Sequence, residues 1–215
     1  METRPEDRLF SKAGELLQQT SVVYNNEQLK KLCDLVRLLS KWNKSLNLTA
    51  VKSEDEMVVR HILDCAVVSP YIEGENIADV GTGAGFPGLV LAILNRDKKF
   101  SLIDSVSKKT SFVQTACIEL GLENVTVING RCEDLRPEKC FDLIVSRAFA
   151  PLKKMVNICI HLLDDKGCIL AMKANLEHDE INEIPDTVKI ENIIQLDVPE
   201  LNAKRQIIKL VRTGI

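Results

Sequence analysis

Two carboxylates, Asp79 and Asp104, and the glycines between them are the residues of this chain whose types and spacing point most directly to chemistry. Asp79 stands in Asn76-Ile-Ala-Asp-Val-Gly-Thr-Gly-Ala-Gly-Phe-Pro-Gly88, where glycines recur at every second position as Gly81, Gly83 and Gly85. Glycines so spaced let backbone approach a bulky ligand without Cβ clashes. Asp104 follows one strand–helix–strand step later, at the tip of the neighbouring strand, where a carboxylate can accept both hydroxyls of a ribose. The pair therefore implies nucleoside binding outside the carboxyl edge of an open α/β sheet. The helix start after the glycine loop favours polar or anionic ligand groups. Arg147 ends another candidate strand, and a cation at such a tip can bind a carboxylate, a phosphate or a base, or form a salt bridge on the rim.

The acid-x-Gly-x-Gly-x-Gly pattern resembles the first motif of Rossmann-like methyltransferases that use S-adenosylmethionine. In those enzymes the loop contacts the methionine and ribose part of the cofactor. Gly83-Ala-Gly-Phe-Pro-Gly88 also fits the dinucleotide fingerprint G-x-G-x-x-G, so the loop alone leaves methyltransferase, dinucleotide binder and plain tight turn open. Asp104 serves either nucleoside-binding fold.

The elements that must hold these residues follow from periodicity. After Gly74 candidate strands and helices alternate, the mark of a parallel sheet built from βαβ units. Strands are expected at 77–80, 100–104, 125–128, 141–145, 167–173, 188–196 and 205–211. Helices are expected to start near Gly85, Ser107, Arg131 (short), Leu152 and Leu176. Only the turn Pro199-Glu-Leu-Asn-Ala separates the last two strands, which reads as an antiparallel hairpin. Seven strands ending in such a hairpin resemble the methyltransferase fold more than a six-stranded dinucleotide-binding sheet. The expected architecture is α/β and Rossmann-like: a mostly parallel seven-stranded sheet with that hairpin and an N-terminal helical extension. It divides into a cap, 1–74, and a cofactor-binding domain, 75–215. In the cap the spacing predicts a first helix over about 6–20, then a break and N-cap at Asn25-Asn26. A longer helix runs to about Lys44, and a third, capped by Ser53 with Glu56 as its capping-box partner, ends near Pro70. Lys30, Lys31, Arg37, Lys41 and Lys44 lie mostly off the apolar stripe of the second helix, as a solvated face or an RNA-facing rim.

Bulk properties narrow the class. The 215 residues carry 45% hydrophobic and 27% charged residues and a net charge of −3, with a pI of about 5.7. The chain is no polycation, so contact with nucleic acid needs a local basic surface. The seven cysteines are scattered without a C-x-x-C pair, which suggests core thiols of a reducing compartment and no zinc site. The charged N-terminus lacks a signal-peptide core, and no apolar run approaches membrane-spanning length. The expectation is a cytoplasmic, monomeric protein with no metal and no membrane partner.

Taken jointly, several motifs resemble one family closely: the small-subunit ribosomal RNA guanine-N7 methyltransferases, also called the glucose-inhibited division protein B family. They are Trp42-Asn-Lys-x-x-Asn-Leu-Thr49, Arg60-His-x-x-Asp64, the Asp79–Gly88 loop, Asp104-Ser, Lys108-Lys, Ser146-Arg-Ala-Phe149, Ala171-Met-Lys173 and Val198-Pro-Glu-Leu-x-x-x-Arg205. Ala174 departs from the glycine the family commonly carries after Met-Lys. The resemblance implies transfer of the S-adenosylmethionine methyl to N7 of one guanine in bacterial 16S rRNA, free or within the small ribosomal subunit. It implies cofactor contacts at Gly81, Phe86, the Cys132-Glu133 pair and Arg147. Asp79, Gly83, Gly85 and Asp104 join them from the reasoning above.

Guanine N7 has an in-plane lone pair and no proton, so no general base is required, and none is assigned. Arg147 and Lys173 are the candidate catalytic residues, and Arg60, His61, Lys173 and Arg205 the candidate RNA contacts. His61 has a structural alternative as a satisfied core histidine. The basic tail Lys204-Arg205, Lys209 and Arg212 could rest on RNA backbone or form a solvated edge. The tip Ser-Arg-Ala-Phe disfavours amino-methylation of adenine, and no Cys follows Pro as cytosine-C5 chemistry would ask. A small-molecule methyltransferase, a non-catalytic ribosome assembly factor and a nicotinamide-dependent oxidoreductase remain as alternatives.

Overall fold

The protein is described here by a computed structural model covering residues 5–147 and 150–214. Ala148 and Phe149 of the Ser146–Phe149 motif, and the first four residues of the charged N-terminus, lie outside the described residues. The core is a seven-stranded sheet: β1 Asn76–Val80, β2 Lys99–Asp104, β3 Val125–Asn129, β4 Phe141–Arg147, β5 Leu163–Lys173, β6 Val188–Leu196 and β7 Arg205–Arg212. Its order is β3-β2-β1-β4-β5-β7-β6. The first five strands run parallel, while β7 lies antiparallel between β5 and β6, closing the expected hairpin. The order reverses between β1 and β4, which is where open α/β sheets hold ligands.

Helices cover both faces. They are α1 Pro5–Leu17, α2 Asn26–Leu46, α3 Glu54–Met57, α4 Asp64–Ala66, α5 Gly88–Leu94, α6 Ser107–Leu120, α7 Leu152–Cys159 and α8 His178–Asn182. Strand side chains alternate between two cores, as the pleat demands. Ile77, Leu102, Leu143, Val145, Leu170 and Ile207 join α1, α2, α5 and α6 on one face. Ala78, Val80, Ile103, Ile144, Ile169 and Ile208 join α7 on the other. The cap and the sheet thus share one continuous apolar core. All seven cysteines are free thiols, and six of them are buried. No described helix is long and apolar enough to cross a membrane.

Three expectations shift. The helix after the glycine loop starts at Gly88, not Gly85. Gly85 has φ +88°, outside helical space, and Phe86 precedes a proline, which disfavours helical backbone. The third cap helix is not one helix: between α3 and α4 the segment Val58–Leu63 is a π-helix, and Ser69–Tyr71 is a 3-10 turn. Ser53 does cap α3, its hydroxyl accepting from the Glu56 amide at 3.3 Å. Strand β5 begins at Leu163, four residues before its expected start, directly after a 3-10 turn at Ile160–Leu162.

Candidate active site

The site begins with Asp79, buried on β1. A single oxygen, Oδ2, accepts both the Thr82 hydroxyl at 2.6 Å and the Gly88 amide at 2.7 Å. The carboxylate thereby ties the strand end to the loop and to the first residue of α5. Only glycine fits at position 88: a Cβ there would stand 2.7 Å from Asp79 Oδ2 and from Leu102 Cγ. The second oxygen, Oδ1, is buried and has no hydrogen-bond partner. Burial pushes the Asp79 carboxyl up to about 6, although the bonds from Thr82 and Gly88 and the charge of Arg147 oppose the shift. An ionised, half-satisfied carboxylate at full burial is costly, and such groups concentrate at functional sites.

Asp104 ends β2 beside the loop. Its Oδ2 accepts the Gly83 amide at 2.9 Å and its Oδ1 the Val106 amide at 2.8 Å. An ionised carboxylate has about four lone-pair sites, so two remain for a ligand. It borders a cleft of about 410 Å³ lined by Val80, Gly81, Ile103, Gly130, Cys132 and Glu133, with Lys109, Arg131, Lys154 and Ile158 on its rim. The expected residues Gly81, Asp104, Cys132 and Glu133 thus share one cavity.

A second cavity of about 350 Å³ opens at the tips of β4 and β5, lined by Val51, Arg60, His61, Asp64, Arg147, Met172, Lys173, Ala174 and Arg205. Its centre is Asp64, a buried carboxylate at the end of the π-helix. Asp64 Oδ1 accepts from Arg205 Nε at 2.6 Å, and Oδ2 from Arg147 Nη1 at 3.2 Å. Arg147 also donates to the Arg60 carbonyl at 3.0 Å. Its guanidinium sits 5.6 Å from the Phe86 ring centroid, so Phe86 and Arg147 meet where the glycine loop joins the basic cavity. His61 stacks on Phe86, with centroids 4.9 Å apart, and its Nε2 pairs with the Thr49 hydroxyl at 2.9 Å. Burial, reinforced by the nearby Arg147 charge, lowers the His61 imidazole to about 4, so it is neutral near pH 7. Lys173 is ion-paired to Glu180, which also accepts from the Leu152 amide at 2.7 Å.

Of the candidate RNA contacts, Arg60, His61, Lys173 and Arg205 all line this second cavity together with Arg147. Gly83 and Gly85 act through backbone, the first by its bond to Asp104 and the second by a turn from φ +88°. Ser146, expected at the sheet edge, is buried and donates to the Val80 carbonyl at 2.7 Å, bracing β4 on β1. The basic tail has internal partners: Lys209 lies 3.0 Å from both Glu73 and Glu191, and Arg212 donates to the carbonyls of Ile160 and Leu163. Sequence reasoning gave no role to Asp64, Thr82 or Glu180. Asp64 was visible only as the last residue of Arg60-His-x-x-Asp64, and its partners lie 83 and 141 positions away.

The GidB family model, described as rRNA small subunit methyltransferase G, matches residues 28–208. The ribosomal RNA small subunit methyltransferase G of Haemophilus influenzae (strain PittEE) is 47% identical over 93% of this chain and 98% of its own. That of Actinobacillus succinogenes is 48% identical over 94% of this chain and 96% of its own. Among solved structures, the O-methyltransferase TomG of Streptomyces achromogenes, in complex with S-adenosylmethionine, superposes with a TM-score of 0.58 at 14% identity, covering 99% of this chain and 100% of that one. The Pyrococcus abyssi tRNA (uracil-54, C5)-methyltransferase, in complex with S-adenosylhomocysteine, superposes with a TM-score of 0.51 at 22% identity, covering 68% of this chain and 37% of that one. Those likenesses speak for the Rossmann-like methyltransferase fold, and the extent of the sequence match speaks for more: the chain belongs to the rRNA small subunit methyltransferase G family.

Proposed function

We propose that this protein transfers the methyl group of S-adenosylmethionine to N7 of a guanine in small-subunit (16S) rRNA. The observation that carries the reading is a pair of cavities at the carboxyl edge of the sheet, one bordered by Gly81, Asp104, Cys132 and Glu133 and the other by Arg60, Arg147, Lys173 and Arg205, with Phe86 of the glycine loop against Arg147 of the second. The residues of the first fit the cofactor. Asp104 has lone pairs left for the ribose hydroxyls, Cys132 and Glu133 border the far wall, and the unpartnered Oδ1 of Asp79 offers negative charge to the amino group of the methionine end. Bound there, the cofactor supplies an electrophilic methyl on a cationic sulfur.

The chain's own part is positioning and charge balance. Guanine N7 needs no base to activate it, and the one histidine at the junction is neutral, buried and occupied by Thr49. Holding the base so that N7 lies in line with the methyl–sulfur bond is the larger demand. Arg147, Arg205 and Lys173 have donors suited to guanine O6 and to phosphate. Methylation of N7 leaves a positive charge on the base, and a bare cluster of cations would oppose it. Asp64 is shared by the two arginines and Glu180 pairs with the lysine, so the positive field of the cavity is reduced while its donors are kept. The arginine pairing is the arrangement expected of a site that reads a base and tolerates a cationic product.

The test is chemical mapping of N7-methylguanine in 16S rRNA from cells with and without the protein. Loss of one modified guanine on deletion, restored by the purified protein with S-adenosylmethionine, is the expected result. An unchanged modification pattern refutes the reading.

A further inference from the structure

Two basic regions flank the paired cavities, and they differ in one respect. On the hairpin side the cations nearest the basic cavity are ion-paired within the molecule, Arg205 with Asp64 and Lys173 with Glu180, as is Lys209 with Glu73 and Glu191, while Lys189 and Lys204 are exposed. On the cap side Lys44, Lys52 and Lys108 are exposed. Among the described residues none of these three has an acidic side-chain partner. Lys108 makes a bond, to the Leu46 carbonyl at 3.2 Å, and that bond links the first turn of α6 to the end of α2. Trp42 and Phe112, with ring centroids 6.0 Å apart, hold the same two helices together one turn away. Lys44 sits in the last turn of α2, so it stands at this joint with Lys108.

The chain then passes through a loop that ends at Lys52. Asn47 turns it in left-handed backbone, and Asn43 secures it by accepting the Thr49 amide at 2.9 Å and donating to the Val51 carbonyl at 3.2 Å. Val51 lines the basic cavity and Thr49 holds His61. At the other end, Asp104 and Lys109 border the cofactor cleft on either side of the Lys108 turn. The three ammonium groups without an acidic partner therefore follow the cap side of the sheet's carboxyl edge, from one cavity to the other.

We infer that Lys44, Lys52 and Lys108 form the docking ridge for the phosphate backbone of the RNA whose base enters the basic cavity. The inference rests on the methyl-transfer reading above and adds the surface that holds the RNA. A base delivered to the cavity brings flanking phosphates across its rim, and unpaired cations there gain most from them, because no internal pair has to be broken first. A net charge of −3 leaves little general attraction for RNA, so the contact has to be local.

The experiment compares the triple variant Lys44→Gln/Lys52→Gln/Lys108→Gln with a control of equal charge change at the opposite, amino-terminal edge of the sheet, Lys99→Gln/Lys139→Gln/Lys166→Gln. Binding to 16S rRNA is measured across a salt series, together with S-adenosylmethionine affinity and methyl-transfer kinetics. The ridge variant is expected to keep cofactor affinity and kcat at saturating RNA within about twofold. Its KM for RNA should rise at least tenfold, and the slope of log binding constant against log salt should fall by roughly two to three. The control should match the unsubstituted protein. If both variants keep the original slope and KM, the ridge is wrong while the methyl-transfer reading stands. If both lose equally, net charge and not this surface governs binding, and the ridge is again wrong. If the unsubstituted protein moves no methyl to rRNA, the reading beneath the inference falls and takes the ridge with it.

Discussion

Asp79 shows how one side chain can be expensive and still retained. Its Oδ2 takes two hydrogen bonds while Oδ1 takes none, at full burial. The folded carboxyl titrates near 6, above the ordinary aspartate range near 4. A raised acid contributes its full relative stability while both states are protonated, below about pH 4, and that contribution is lost as the pH rises to about 6. Above that, the ionised folded form costs about 3 kcal/mol relative to the unfolded chain. Asp79→Asn removes the titration, and an amide oxygen in place of Oδ2 keeps both bonds. Denaturant unfolding is expected to show the variant more stable by about 1–3 kcal/mol at pH 8, with the gain vanishing near pH 4. Calorimetry is expected to show weaker S-adenosylmethionine binding. A variant less stable than the parent at pH 8 would mean that the ionised carboxylate is compensated in a way these contacts do not reveal. The glycine-loop role of Asp79 was legible from its place before three alternating glycines. Its orphaned oxygen was not, because hydrogen-bond satisfaction depends on where Thr82 and Gly88 end up in space.

Elements matter here through their joints. Asp64 ties the π-helix to β4 through Arg147 and to β7 through Arg205. Asp64→Asn leaves two guanidiniums facing one neutral amide. The expected cost is about 2–3 kcal/mol, discounted from the scale of fully buried pairs because each arginine side chain keeps about a fifth of its surface in water. Thermal unfolding measures that cost, and methyl-transfer assays on RNA should fall with it. Stability equal to the parent's would show that the arginines find other partners. The turn between β1 and α5 is the second joint. Gly88→Ala drives a Cβ against Asp79 and Leu102, so it should cost about 1–3 kcal/mol by denaturant unfolding and weaken cofactor binding. Gly130→Ala, whose Cβ would meet nothing nearer than 3.9 Å, should leave stability unchanged. Strands and most helices could be located from the sequence because period-two and period-3.6 patterns alternate after Gly74. The π-helix could not. Val58, Val59, Ile62 and Leu63 are all buried, and that apolar pattern suits α- and π-windings equally, so packing decides.

At the scale of the whole molecule, the chain brings distant residues to one edge of one sheet. Parallel strands put Val80, Asp104 and Arg147 there as strand ends, and β5 adds Lys173. The antiparallel β7 puts Arg205 at the same edge as a strand beginning, with Gln206 paired to Lys173. The cleft beside the glycine loop was readable because its signals are local: a glycine loop, an acid one unit later, and a loop after β3. The second cavity was readable only as a set of cations. Their anionic counterparts, Asp64 and Glu180, were invisible as partners, since ion pairing across a fold leaves no spacing rule behind. The central claim is that the cofactor lies along β1 and β2 with its methyl directed to the Phe86–Arg147 junction. A crystal structure of the protein with S-adenosylmethionine tests it most directly. Ribose hydroxyls on Asp104, the adenine beside Cys132 and Glu133, and the methyl facing the cavity of Arg147 and Lys173 are the predicted result. Cofactor bound elsewhere, or with its methyl turned away from that cavity, would contradict the account.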